Sequence, residues 1–128
     1  MIKNKFIIDK YSTTIYPYPV YVCKNYTFKD ISKRFNGLSE SDIDESKDLC
    51  ISGITDKNNN YCILILLCKN TVNQKDKSDQ VNTCAHEALH ATCDMLEEIE
   101  QPLSSKYSEA YCYLCGYIAQ CTYKTLMK

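Results

Sequence analysis

Apolar and polar residues divide the chain into short strand-like runs followed by two long helical patterns. Residues 16–23 are rich in β-forming side chains, and their two prolines place them at a sheet edge or at a strand's start. Two more apolar runs, residues 49–54 and 61–68, flank the polar segment 56–60, whose Asp and Asn residues predict a hairpin turn. Since the run 61–68 is apolar on both alternating faces, we expect it inside the sheet, with helices over one side.

A short helix is predicted between the first two strands. Phe28, Ile31 and Phe35 recur at helical spacing after Thr27, a candidate N-cap, and Gly37 is a candidate stop. The first twelve residues are predicted to form a loose arm or an edge strand. Residues 39–48 are acidic and polar, which favours a loop or a short solvated turn of helix.

The second half of the chain predicts two long helices. The first is capped by Asp76 or Ser78 and runs to about residue 100, and the second covers about residues 105–125. Pro102 breaks the pattern between them, and serines suited to an N-cap follow it. The order of elements predicts one α+β domain over residues 1–128, in which a three-stranded antiparallel or mixed sheet packs against these two helices.

Both histidines of the chain lie in one five-residue motif, residues 86–90, which reads His-Glu-Ala-Leu-His. His86 and His90 are one helical turn apart on the same face, so both imidazoles can reach one Zn²⁺ at about 2.0–2.1 Å. Glu87 lies at the flank of that face, where it can accept a proton from zinc-bound water. A chance match to this short pattern is the alternative.

Glu109 is the candidate third ligand. It follows His90 by eighteen intervening residues and lies in the first turns of the second long helix, so a helical hairpin would bring it back to the histidines. Two His and one Glu leave the fourth tetrahedral position open to water, as in catalytic zinc sites. The alternative is a carboxylate at a helix start, stabilised by the helix dipole.

A helical projection places the histidines beside an apolar stripe, not within it. A ligand that faces a cleft is expected at such a margin, whereas a core histidine would lie within the stripe. The predicted stripe consists of Val81, Ala85, Leu89, Thr92, Leu96 and Ile99.

Over residues 78–123 the motif and the downstream Glu109 resemble the gluzincin clan of zinc metallopeptidases, and the small size is closest to the minigluzincins. The resemblance implies a zincin-like fold, zinc bound by His86, His90 and Glu109, and Glu87 as general base and then acid. It also implies that an exposed sheet edge pairs with an extended peptide. Larger gluzincins stabilise the oxyanion with a Tyr or His; with no third His here, Tyr113 is the candidate, against a role in packing.

Composition limits the classes of partner. The net charge is −1 over 128 residues, which gives no electrostatic case for nucleic acid or an anionic membrane, so the expected partner is a peptide or protein substrate. The longest apolar run, eight residues, is too short to span a bilayer, and no secretory signal is visible. The odd count of nine cysteines then favours a reducing cytoplasm and free thiols.

Three polar groups near the motif have two interpretations each. Cys112 and Cys115 form a C-x-x-C pair without a partner pair, so packing is favoured over a structural zinc knuckle. Cys93 shares the histidine face and either packs beneath the metal or approaches it. Asp94, one turn after His90, either orients an imidazole or is an exposed helix acid.

The sequence therefore predicts a zinc-dependent metallopeptidase in which zinc activates water and Glu87 is the base. A non-catalytic zinc-stabilised module, such as a phage or assembly component, is the second hypothesis. A chance motif in a purely structural α+β domain is the third.

Overall fold

The structure, a computed structural model, describes residues 4–13, 16–101 and 104–128. Within them the chain forms strands, α-helices and short 3-10 turns, one of them at Glu40–Asp42 and another at Ser105–Tyr107. In chain order the strands and α-helices are β1 (Ile7–Tyr11), β2 (Val20–Lys24), α1 (Phe28–Ser32), β3 (Phe35–Asn36), β4 (Leu49–Asp56), β5 (Tyr61–Leu67), α2 (Lys69–Val72), α3 (Lys77–Glu98) and α4 (Ser108–Leu126).

The sheet is mixed and has five strands in the order β1-β2-β5-β4-β3. The β2–β5 pair is parallel, and the other three pairs are antiparallel. The α+β class and the mixed sheet are therefore confirmed, whereas the prediction of three strands is wrong. The long helices α3 and α4 pack on each other and on one face of this sheet.

The two additional strands arise where local pattern is ambiguous. β1 lies in the segment predicted as a loose arm or an edge strand, and it pairs along its whole length with β2 at the sheet edge. Phe35 was assigned to the short helix by its spacing, but α1 ends at Ser32 and Phe35 pairs with Asp56 in β3. A buried Phe fits either assignment, so spacing alone could not separate them.

The central strand β5 divides the apolar core into two layers. Ile63, Ile65 and Leu67 face α3 and α4, whereas Cys62, Leu64 and Leu66 face α1 and the segment that follows it. All six side chains are buried. Burial of a Leu or Ile side chain contributes about 1.5–3 kcal/mol relative to exposure, so this strand is a main source of stability.

Local hydrogen bonds confirm the predicted turn between β4 and β5. Asp56 Oδ1 accepts the backbone N–H groups of Asn58 and Asn60 at 2.9 and 3.0 Å. Asn59 adopts a positive φ of 63°, which Asn tolerates better than most residues. The turn thus fixes the register of β4 and β5.

The predicted caps are also present. Thr27 and Asp30 form a reciprocal capping box at α1. Asp76 accepts the backbone N–H of Ser78 at 2.9 Å at the start of α3. Ser104 accepts the N–H of Lys106 ahead of α4, and Pro102 lies outside the described residues.

Polar contacts hold the end of α4 against the sheet. Lys24, a buried residue of β2, donates from Nζ to the Leu126 carbonyl at 2.9 Å. Asp9 of β1 accepts from Thr125 Oγ1 and from Lys128 Nζ, both at 2.7 Å. Because lysine charge near a helix C-terminus complements the helix dipole, these contacts stabilise the helix end that packs beside β1 and β2. Among the described residues, no helix has the length and apolar content needed to cross a membrane.

Candidate metal site on helix α3

His86 and His90 converge at the outer surface of α3. Their Nε2 atoms are 3.2 Å apart, and both side chains are exposed. Two ligands of a tetrahedral zinc ion with bonds of about 2.05 Å lie about 3.3 Å apart, so the pair already has the required separation. The same distance also fits a hydrogen bond between one protonated and one unprotonated imidazole nitrogen. The 3.2 Å separation of the two Nε2 atoms therefore fits a shared metal ion and fits a hydrogen bond between the two imidazoles equally well.

Glu87 lies beside His86 on the side of α3 that faces the sheet. Glu87 is only 5% exposed, and its Oε1 lies 4.0 Å from His86 Nε2. Burial raises the pKa of Glu87 above its ordinary value, and the two histidines oppose this effect. A carboxyl group with a raised pKa, adjacent to an imidazole pair, has the properties of a general base that later returns its proton as an acid.

A cavity of about 480 Å³ opens beside these residues, between α3, α2 and the segment that precedes β4. His86 and Glu87 line it together with Asp48 and Thr71. Asp48 accepts the Thr71 hydroxyl at 2.6 Å and the backbone N–H of Cys68 at 2.8 Å. These bonds fix a second carboxylate on the wall of the cavity, and its charge adds to the rise in the pKa of Glu87.

The predicted apolar stripe of α3 is only partly buried. Thr92 and Leu96 are fully buried, whereas Val81 and Leu89 are 52% and 50% exposed. The buried face is therefore rotated away from the predicted stripe, and the histidines lie on the outer face rather than at the edge of the buried one. The buried residues of α3 are Gln80, Cys84, Glu87, Ala88, Ala91, Thr92, Met95 and Leu96.

Glu109 and Tyr113 both lie on the exposed side of α4. Glu109 is in its first turn and Tyr113, which is 75% exposed, is one turn later. Within residues 4–13, 16–101 and 104–128, no three His, Cys, Asp or Glu side chains are grouped closely enough to hold a metal ion. The structure thus brings His86, His90 and Glu87 together but does not bring Glu109 to them.

An apolar groove of about 380 Å³ separates the two helices at this end. Leu89 contributes from α3, and Ser108 and Cys112 contribute from α4. Leu89 and Ser108 line the groove, whereas the residues that follow them, His90 and Glu109, do not line it and are exposed.

Cys50 of β4 is a neighbour of the site that the sequence pattern does not indicate. Its Sγ donates to Asp94 Oδ2 at 3.8 Å, and burial strongly raises the pKa of this thiol, so it is an inert packing group. Burial also raises the pKa of Asp94, and His90 opposes that rise. Burial raises the pKa of Cys93 as well, which favours the thiol over a metal-binding thiolate. No feature of the local sequence around Cys50 marks it, because its position depends on how β4 pairs with β5.

The part of β4 nearest to this site has one open edge. Residues 49–51 pair with β5 on one side, whereas β3 pairs only with the far end of β4, at Thr55 and Asp56. A bulge separates the two halves of β4, and Gly53 within it has a positive φ of 72°. Among the described strands, none pairs with the outer edge of residues 49–52, whereas Gly37, just after β3, lies next to the Gly53 carbonyl.

Comparison of this chain with models of known protein families, with curated proteins and with solved structures finds no match.

Proposed function

We propose that this chain is a zinc-dependent peptide hydrolase whose metal is held by His86 and His90. The observation that carries the proposal is the 3.2 Å separation of the two Nε2 atoms, close to the value of about 3.3 Å for two ligands of tetrahedral zinc. The buried carboxyl group of Glu87 beside His86 supports a hydrolytic role, since a structural zinc site needs no base.

Bound zinc would supply a water molecule of lowered pKa. Glu87 takes a proton from the attacking water and delivers it to the amine that leaves. Burial keeps the pKa of Glu87 above its ordinary value, which favours the return of that proton. His86 and His90 would hold the metal through their Nε2 lone pairs, and because a protonated imidazole cannot bind a metal ion, binding is expected to weaken in acid.

Glu109 is proposed as the third ligand and Tyr113 as the group that stabilises the oxyanion. Both residues are exposed in the first turns of α4, and residues adjacent to Glu109 and His90 in the chain, Ser108 and Leu89, line the groove between the two helices. Closure of the site then requires the first turn of α4 to approach α3 or the Glu109 side chain to reach over the groove. The short 3-10 turn that precedes α4 offers a backbone segment where such an adjustment can occur.

An extended peptide is the proposed substrate, and the open edge of β4 is its proposed docking strand. Residues 49–53 lie close to α3, because Cys50 contacts Asp94, which is one turn after His90. A peptide paired with this edge would gain main-chain hydrogen bonds that require little of its side chains. Such pairing would carry the peptide past the histidine-bearing turn.

A non-catalytic zinc-stabilised module is the second candidate. Glu109 is exposed and belongs to no group of metal ligands among the described residues, which favours this candidate. Two histidines alone leave two positions of a tetrahedral zinc ion for ligands from another part of an assembly. In this case zinc would stabilise the fold or an interface, and Glu87 would have no catalytic role.

The deciding experiment is the zinc content of the purified parent compared with His86→Ala and Glu109→Ala, with Glu98→Ala as a control for loss of an exposed helix carboxylate. Stoichiometric zinc in the parent that falls in both site variants, but not in Glu98→Ala, supports the three-ligand hydrolase and justifies a peptide-library screen. Zinc lost only in His86→Ala favours the module. Absence of zinc from the parent after incubation with excess metal means that the motif arose by chance.

A further inference from the structure

A second cavity, of about 440 Å³, lies on the sheet face opposite α3 and α4. It is bounded by β1, β2, the residues after α1 and the turn between β4 and β5. Four cationic side chains line it, and two aromatic residues belong to its inner wall. These six residues are Lys10, Lys33, Arg34 and Lys57 with Tyr21 and Phe35.

Acidic groups offset only part of this positive charge. Asp56 interacts with Lys10, and Asp30 of α1, outside the cavity, interacts with Lys33 and Arg34. The close ion pairs among the described residues involve Lys47, His86 and Lys128, so no cation of this cavity has a carboxylate within 4.0 Å. Asp56 is the only acidic residue among the described residues that line it, and its Oδ1 already accepts two backbone N–H groups of the turn. The cavity therefore has an excess of positive charge within a chain whose net charge is −1.

The cationic groups are held in place by contacts that leave their charge available. Lys57 Nζ donates to Asn36 Oδ1 at 3.0 Å. The Lys10 ammonium lies 5.8 Å from the centre of the Tyr21 ring, and the Arg34 guanidinium lies 5.3 Å from that of Phe6. Clefts lined by charge of one sign concentrate counter-ions, and Arg and Lys together are the usual ligands of phosphate oxygens.

The aromatic wall offers a surface for a planar group. The rings of Tyr21 and Phe35 pack edge to face with centroids 5.0 Å apart, which holds the half-buried Tyr21 ring at the floor of the cavity. Cavities of about 300–1,000 Å³ accommodate small organic ligands. Basic side chains above an aromatic floor fit an anion joined to a ring better than an inorganic anion alone.

We propose that this cavity binds a nucleoside phosphate, with its phosphates held by Lys33, Arg34 and Lys57 and its base against Tyr21. The site lies on the other face of the sheet from the histidines, so it is separate from the proposed metal site. The proposal does not depend on zinc binding or on hydrolysis.

Calorimetric titration of the full chain with ADP, tripolyphosphate and adenosine tests the proposal. ADP is expected to bind more tightly than tripolyphosphate, binding is expected to weaken with added salt, and adenosine alone is expected to bind poorly. Lys33→Gln and Lys57→Gln should each weaken ADP roughly tenfold, the loss expected for one charge-assisted hydrogen bond. Lys29→Gln, which removes an exposed lysine of α1 outside the cavity, is the matched control.

Three results would overturn this assignment. Failure of both ADP and tripolyphosphate to bind at low salt, or equal weakening by Lys29→Gln and Lys33→Gln, would mean that the basic cluster is only a solvated surface. Equal affinity for tripolyphosphate and ADP would remove the role of Tyr21 and assign the cavity to a free polyphosphate instead. Unchanged thermal unfolding of the variants verifies that each has folded.

Discussion

Replacement of Glu87 by Gln should separate zinc binding from hydrolysis. The substitution keeps the shape of the side chain and removes its ability to accept a proton. Glu87 is almost fully buried, and its Oε1 is 4.0 Å from His86 Nε2, whereas the two imidazoles that would bind zinc are untouched. We therefore expect the variant to retain zinc and to lose turnover.

Loss of the base is expected to change a reaction rate, whereas binding of zinc is expected to change the stability of the fold. A positioned general base contributes about 10²–10⁴-fold to rate, which corresponds to roughly 3–5 kcal/mol of transition-state stabilisation. Zinc at a free concentration of 100 times its Kd stabilises the folded state by about 2.7 kcal/mol. For a chain of 128 residues, with an unfolding entropy of about 0.27 kcal/mol/K, that raises the Tm by about 10 °C.

The assay pairs peptide cleavage with thermal unfolding, each measured with and without zinc, for the parent, Glu87→Gln and Glu97→Gln. Glu97 is an exposed residue of the same helix, so its variant controls for the loss of a helix carboxylate. The expected result is a zinc-induced rise in Tm in all three proteins and loss of cleavage in Glu87→Gln alone. Cleavage by Glu87→Gln within about tenfold of the parent would refute the role of Glu87 as the base.

Three further substitutions test the fold. The pKa of Asp9 is below its ordinary value of 3.8, because hydrogen bonds from Lys128 and Thr125 outweigh the effect of burial, which alone would raise it. The ionised Asp9 carboxylate therefore stabilises the fold above pH 3.8, and this stabilisation is lost as the pH falls through the lower pKa of the folded state. Asp9→Asn should consequently lower the free energy of unfolding by about 1 kcal/mol at neutral pH and by little in stronger acid, which urea unfolding at the two pH values can measure. Leu64→Ala, at a fully buried position of β5, should lower the free energy of unfolding by about 2–5 kcal/mol; a loss below about 1 kcal/mol would contradict the central placement of this strand. Gly53→Ala meets no atom within 4 Å but requires a φ of 72°, so a cost of about 1–2 kcal/mol in the same assay would come from the backbone, and an unchanged stability would contradict that conformation.

Elements with strong local chemistry could be predicted from the sequence. Asp56 and the Asn residues after it make the turn by bonds within the same few residues, so no distant contact is needed. Thr27 and Asp76 cap their helices in the same way. The convergence of His86 and His90 also follows from one helical turn alone.

Features that depend on tertiary packing could not be predicted. The strand β3 is only two residues long and exists because Phe35 pairs with Asp56, twenty-one positions further along the chain. The buried face of α3 could not be fully predicted, because Val81 and Leu89 belong to an apolar stripe almost as clear as the face that packs on the sheet. Ala88 and Ala91, the smaller residues, allow the helix to approach the sheet closely, and this packing exposes the larger ones.

The outward orientation of α3 changes what the site requires of its surroundings. The histidines lie at the surface rather than in a closed cleft, so a substrate of the proposed hydrolase would reach them without entry into the core. An open site of this kind excludes little water by itself, and the walls around a scissile bond must come from the edge of β4, the start of α4 and the bound peptide. The position of Glu109 is consequently decisive: if the first turn of α4 closes over the groove, it supplies both a ligand and a wall. If it stays apart, His86 and His90 form half of a metal site that another chain completes, and the zinc-stabilised module becomes the better description.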